Sequence, residues 1–224
     1  MYMKDKKYIV FDVDGTLLDT EFIWGKIWKQ IGMKYGHPSF CHDEVVGISG
    51  PALRAVMDRQ LEGVPEEEKD EMLAEVRRIG LPYIKEHTSL MPGVREMFIW
   101  LKEQGFTVCI ATTTDRSLTE ERLKKNGIWE DISFSVCGDE VKKKKPDPEI
   151  YLKMAQLLGA ETEEMLIIED TGFGVEAAFR AGCEVIMIPS VNPASQKDRK
   201  MALRTEENMY EVLRWMQENI RRKK

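Results

Sequence analysis

Tyr8-Ile9-Val10-Phe11-Asp12-Val13-Asp14-Gly15-Thr16 is the stretch from which the rest of the chain is read. Four apolar residues run without a polar break, as in a strand buried on both faces of a parallel sheet. They end abruptly in two carboxylates, a glycine and a hydroxyl. Ligands of open α/β sheets sit beyond the carboxyl ends of the strands, so polar residues at such a place are the first candidates for chemistry. Asp12 and Asp14 would share a face if the strand ran on through them. A division of tasks suits the pair, with Asp12 as nucleophile and metal ligand and Asp14 as general acid and base. Gly15 lets the backbone turn sharply and come close to a phosphate.

Similar apolar runs recur outward from this strand. Phe106–Ala111, Met165–Ile168 and Glu184–Ile188 read as buried strands, and Ile132–Val136 as a weaker one. Helical stretches separate them: Pro92 to Gly105, Ser117 to Lys125, Pro148 to Leu158 and Val175 to Ala181. A last helix carries Met209, Val212, Leu213, Met216 and Ile220 on one face. Strands alternating with helices predict an α/β fold with a parallel sheet covered on both faces. The block from Leu18 to His87 instead reads as helices only. Trp24, Ile27, Trp28 and Ile31 share one face of the first, and Pro51 opens the second. The third starts near Pro65 with Met72, Val76, Ile79 and Tyr83 as its apolar face, and Pro82 should kink or end it. The expected division is a core of residues 1–17 and 88–224, with 18–87 inserted as a helical cap.

The 224 residues are enough for such a core with a smaller satellite, and 42% hydrophobic with 32% charged residues fits a globular chain. A net charge of -6 speaks against nucleic acid or an anionic membrane as partner. No apolar run approaches the roughly eighteen residues of a membrane span, and the apolar stretch after the basic start is too short for a secretory signal. The expected location is the cytoplasm. Cys41, Cys109, Cys137 and Cys183 are widely and irregularly spaced, and read as reduced thiols. His37, Cys41 and His42 lack the spacing of a zinc site.

Four loops gather at the same edge of the expected sheet. They bring Asp12, Asp14, Gly15 and Thr16; then Thr112, Thr113, Thr114 and Asp115; then Lys145 before Pro146; and finally Glu169 and Asp170. Clustered carboxylates repel one another unless a cation neutralises them, and hard oxygen ligands suit magnesium. Hydroxyls, an ammonium and backbone amides around Gly15 suit a phosphate. The set predicts metal-assisted phosphoryl transfer on a small phosphorylated metabolite.

Asp12-Val13-Asp14-Gly15-Thr16-Leu17-Leu18-Asp19-Thr20 resembles the first motif of the haloacid dehalogenase superfamily. The strand ending in Thr112, Lys145-Pro146-Asp147-Pro148, and Glu169-Asp170-Thr171-Gly172-Phe173-Gly174 resemble its second, third and fourth motifs, in the family's order. The helical insert is similar to the cap of the subfamily containing phosphoglycolate phosphatase and β-phosphoglucomutase. The resemblance implies a Rossmann-like core and hydrolysis of a phosphate monoester through an aspartyl-phosphate on Asp12. Asp14 would protonate the leaving oxygen, then activate water. Thr112 would bind phosphoryl oxygens and Lys145 would neutralise charge. Magnesium would be held by Asp12, the Asp14 carbonyl and Asp170, with Glu169 directly or through water. Gly15, Thr16 and Thr113 would help bind phosphate, while Asp115, Glu21 and Ser49 are candidates for the substrate pocket.

The presence of Asp14 sets the chain apart from haloacid dehalogenases and phosphonatases, which lack that aspartate. A β-phosphoglucomutase-like sugar-phosphate mutase is the alternative. Such mutases carry a histidine where Trp24 aligns, a basic residue in the loop matching Val46 to Pro51, which has none, and a lysine or similar group near Asp115, which is acidic, with Arg54 or Lys85 as the alternative cations.

Overall fold

The computed structural model describes residues 6–40 and 50–219. Ser49, Cys41, His42 and the chain from Ile220 onward lie outside the described residues. The chain divides into two compact units, Met1–Leu18 with Ser89–Lys224, and Asp19–Thr88.

The first unit is built on strands β1 (Tyr8–Phe11), β2 (Thr107–Ala111), β3 (Phe134–Val136), β4 (Met165–Glu169), β5 (Glu184–Met187) and β6 (Arg204–Thr205). They form one parallel sheet in the order β3-β2-β1-β4-β5-β6. Its helices are α4 (Val94–Glu103), α5 (Arg116–Lys125), α6 (Glu149–Leu158), α7 (Gly172–Arg180), α8 (Gln196–Met201) and α9 (Met209–Asn219).

Alternation along the strands assigns the layers. Ile9, Phe11, Val108, Ile110, Leu166 and Ile168 pack with Val94, Met97 and Leu101 of α4, Leu123 of α5, and Val212 and Met216 of α9. Val10, Cys109, Ala111 and Ile167 pack with Ile150, Tyr151 and Met154 of α6, and Val175 and Ala178 of α7. Each fully buried aliphatic side chain contributes about 1.5–3 kcal/mol, so strands apolar on both faces hold the helical layers on both sides. Cys109, Cys137 and Cys183 are buried free thiols. None of the described helices is long and apolar enough to cross a membrane.

Several elements differ from the sequence reading. Helix α7 starts at Gly172 rather than Val175, because the Thr171 side chain caps it by accepting the Gly174 N–H at 3.1 Å. Helix α8 and strand β6 escaped the apolar pattern because both are short and polar; Ser195 and Asp198 start α8 with a reciprocal capping box.

The second unit holds α1 (Glu21–Lys34), α2 (Gly50–Gln60) and α3 (Glu66–His87). Ile23, Ile27, Trp28 and Ile31 of α1 are buried, and Trp28 stacks on Phe40. Trp24 is only partly buried and lies against Gly80. Helix α3 continues past Pro82. Proline removes one backbone donor, but Pro82 is on the exposed side, where the carbonyl left without it can turn to water. The buried face is Met72, Val76, Gly80 and Ile84, one helical turn apart each time, whereas Tyr83 is exposed and stacks on His87. Ile84, beyond the proline, is fully buried. Ile84→Ala is expected to cost about 2–5 kcal/mol by leaving a cavity, while truncating exposed Leu81 should change stability by less than about 0.5 kcal/mol. Denaturant unfolding of the two variants checks this, and equal small losses would mean that α3 stops packing at Pro82.

Candidate active site

The central strands β1, β2 and β4 deliver the site. Strand β1 stops at Phe11, and the backbone of Asp12 donates to the Ile168 carbonyl at 2.9 Å. The chain then folds back on itself. Leu17 and Leu18 donate to the Val13 carbonyl at 3.0 and 2.9 Å, and Gly15 donates to Leu18 at 2.8 Å. Gly15 has φ of 85°, in the left-handed region that a side chain disfavours, so this turn calls for glycine. The strand therefore does not continue through Asp14, and the two aspartates meet different cations.

Asp12 meets Lys145. The Lys145 Nζ donates to Asp12 Oδ1 at 2.6 Å, to Glu169 Oε1 at 2.5 Å and to the Ala111 carbonyl at 3.0 Å. Its side chain is 5% exposed, so this ammonium spends its three protons on the ends of β1, β4 and β2. It belongs to the segment entering α6, where the Lys145–Pro146 peptide is cis. Burial alone would lower the Lys145 pKa, but the carboxylates of Asp12 and Glu169 outweigh it and hold the group well above its ordinary value. Burial pushes the Asp12 carboxyl up to about 8, with Lys145 opposing and Glu169 adding to the rise. Charge is thus short by at least one cation in this cluster.

Glu169 is fixed on every side. Its Oε1 also accepts from the Tyr151 hydroxyl at 3.1 Å, and its Oε2 accepts the backbone N–H groups of Asp170 and Thr171 at 2.9 and 3.2 Å. A Cβ on Gly174 would lie 1.8 Å from Glu169 Oε1, so only glycine lets α7 begin this close. Burial, then the Glu169 charge, raises the Tyr151 phenol well above its ordinary value, so it stays a donor. Asp170 is buried, and its Oδ2 accepts from the Ser190 hydroxyl at 2.6 Å.

Asp12, Glu169 and Asp170 each offer one carboxylate oxygen, all within 4.8 Å of one another. An all-oxygen donor set of negative charge fits a hard divalent cation such as magnesium and does not suit a softer metal that prefers nitrogen or sulfur. With both Glu169 oxygens already engaged, Asp12 and Asp170 are the readier ligands.

Asp14 meets the loop after β2. The Thr114 hydroxyl donates to its Oδ2 at 2.6 Å and Arg122 Nη1 to its Oδ1 at 2.9 Å. Thr112 is buried, and its hydroxyl oxygen accepts the Thr114 N–H at 3.1 Å, which leaves the hydroxyl proton to donate. The Thr113 carbonyl takes a bond from Lys144 at 3.1 Å. Thr16 Oγ1 is buried with no hydrogen-bond partner among the described residues, an unmet group of the kind a phosphoryl oxygen would satisfy. Asp115 is exposed at the start of α5. Glu21 opens α1 in the second unit, and Ser49 lies outside the described residues.

Arg122, Tyr151 and Ser190 are contacts that the sequence reading did not assign, and Thr114, named there with its loop, was given no separate role. Ser190 follows β5 and was within reach of the rule that site residues follow strands. Arg122 and Tyr151 sit inside helices whose sequences look ordinary, and no local signal marks them.

The model of the haloacid dehalogenase-like hydrolases matches residues 9–188. Over 182 residues the chain is 32% identical to a phosphorylated carbohydrates phosphatase of Thermotoga maritima, covering 80% of this chain and 82% of that protein. Over 195 residues it is 30% identical to a phosphoglycolate phosphatase of Nitrosococcus oceani, covering 83% of this chain and 85% of that one. A solved hydrolase of the same family from Deinococcus radiodurans, with bound phosphate and sodium, shares the fold with a TM-score of 0.79 over 96% of each chain at 22% identity. Arranged around this site and matched over most of its length, the chain belongs to the haloacid dehalogenase-like hydrolase family, as one of its phosphatases.

Proposed function

We propose that the protein is a magnesium-dependent phosphatase of small phosphorylated metabolites, working in the cytoplasm through an aspartyl-phosphate on Asp12. One observation carries this reading: a buried ammonium, Lys145, shared between Asp12 and Glu169 beside a third carboxylate, Asp170. Such a cluster holds more negative charge than one lysine offsets, which suits a site completed by a metal and a phosphate.

Asp12 supplies the attacking oxygen. A bond forms from it to phosphorus as the ester P–O bond breaks, and Asp14 gives its proton to the departing oxygen. Water then loses a proton to Asp14 as it attacks phosphorus, and Asp12 is released. Thr112 and Thr113, with Gly15 and Thr16, are the groups proposed to bind the phosphoryl oxygens, and Lys145 balances their charge. Magnesium held by Asp12, Asp170 and the Asp14 carbonyl would add electrostatic stabilisation of those oxygens. Glu169 acts chiefly by aiming Lys145, and at most through water on the metal. Asp115, Glu21 and Ser49 are the proposed contacts of the leaving group.

Release of inorganic phosphate from a panel of phosphorylated sugars, nucleotides and small acids should require magnesium and stop with chelator. Asp12→Asn should lower turnover by at least about 10³-fold, since it removes the nucleophile. Activity that survives this substitution overturns the reading. Interconversion of sugar-phosphate isomers primed by a bisphosphate, with no net phosphate release, assigns the mutase alternative instead.

The pH dependence of metal binding gives a second test. Folding raises the Asp12 pKa from 3.8 to about 8, so without metal this group's stabilising share is present below about pH 4 and lost as pH rises through about 8. A metal ligand must shed that proton, so magnesium affinity should fall roughly tenfold per unit below about pH 8. The rise in Tm on adding magnesium should be larger at about pH 8 than at about pH 6. Asp12→Asn should erase the difference, and an equal rise at both values would remove Asp12 from the ligand set.

A further inference from the structure

The catalytic reading leaves Arg122 without a task. It lies within α5, its side chain 4% exposed, and it reaches Asp14 Oδ1 at 2.9 Å. Its Nε is buried with no hydrogen-bond partner among the described residues. A buried guanidinium with an unmet N–H is a poor device for stability, because an apolar residue of similar volume would avoid both desolvation penalties. The neighbours of Arg122 on α5, Thr119 and Leu123, are also buried, so the position has no call for charge of its own.

What Arg122 does is hold one oxygen of Asp14. Thr114 holds the other, and both come from the single stretch that follows β2. The Asp14 side chain nevertheless stays 19% exposed, open to a reactant. The two partners are not equivalent. Guanidinium has donors only, so Oδ1 can do nothing there but accept. A hydroxyl both donates and accepts, so Oδ2 can lie beside Thr114 with or without a proton.

We propose that Arg122 is a positioning residue that fixes the Asp14 carboxyl group and reserves Oδ2 as the oxygen that exchanges the proton. The inference rests on Asp14 being the general acid and base of the reading above. In the first half-reaction the proton on Oδ2 passes to the ester oxygen as its bond to phosphorus breaks and the Asp12–phosphorus bond forms. In the second, Oδ2 takes a proton from water as the water oxygen bonds to phosphorus and Asp12 departs. Arg122 keeps its protons throughout and turns the same oxygen outward both times.

The test compares two esters with the full-length enzyme and magnesium: an alkyl phosphate from the panel, whose leaving oxygen needs a proton, and p-nitrophenyl phosphate, whose leaving group does not. The readout is kcat/KM, which covers steps only through the first phosphoryl transfer. Arg122→Met is expected to lower kcat/KM about 10²-fold for the alkyl ester and several-fold at most for the aryl ester. Arg122→Lys should recover most of the difference by restoring a donor-only cation. Equal losses on both esters, or no loss on either, overturn the proposal. If Arg122→Met does not fold, Thr114→Val, which acts on the other oxygen, must show the same preference for the aryl ester or the proposal fails. Wild-type enzyme that hydrolyses neither ester nor any member of the panel overturns the phosphatase reading itself, which is a separate result.

Discussion

One ammonium organises the carboxyl edge of the sheet. Lys145 Nζ is bonded to Asp12 beyond β1, to Glu169 at the end of β4 and to the Ala111 carbonyl at the end of β2. Buried charges persist only when paired and hydrogen-bonded, so removing this lysine would leave two carboxylates facing each other away from water. Tyr151, the amides of Asp170 and Thr171, and the close start of α7 at Gly174 all serve to fix Glu169, and through it Lys145. The site is therefore built inward from a charge that is tied down, rather than outward from Asp12.

The two aspartates of the first loop are consequently held from different sides of the molecule. Asp12 is held by the segment entering α6, which covers the face of Val10, Cys109 and Ile167. Asp14 is held by α5 and the loop before it, and Leu123 of α5 packs on the face of Ile9, Phe11 and Ile110. The turn at Gly15 makes this possible by ending the strand before Asp14. Two carboxylates two residues apart thus acquire separate environments, which suits the separate tasks proposed for them as nucleophile and proton carrier.

The core fold and most of the loop residues were legible in the sequence because their signals are local. Continuous apolar runs such as Phe106–Ala111 and Met165–Ile168 admit few readings, and polar residues just beyond them fall at the ligand edge by topology alone. Arg122 and Tyr151 were not legible, since each lies inside a helix and acquires its role from a residue more than fifteen positions away. Pro82 does not end α3, for a related reason. Its local effect on the backbone is real, but it faces water, and burial of Gly80 and Ile84 on the opposite side carries the helix through. Periodicity placed the buried face of α3 on Ile79 and Tyr83 because glycine carries no hydrophobic signal, although Gly80 is where Trp24 packs. Strand β6 and helix α8 are too short and too polar to register in any window.

The strand order β3-β2-β1-β4-β5-β6 places β1 between β2 and β4; the cluster's carboxylates lie at or just beyond the ends of β1 and β4, and Lys145 also reaches the end of β2. Each of these three strands is buttressed by a neighbour on either side and roofed by helices on both faces. Local fraying begins where a sheet has free backbone groups, at its margins, and the candidate site at the ends of β1 and β4 sits as far from those margins as six strands allow. Asp12 is thereby coupled to the most cooperative part of the molecule. Thermal motion that loosens β3 or β6 can pass without disturbing the Lys145 cluster, whereas disordering Asp12 and Glu169 means undoing the middle of the sheet.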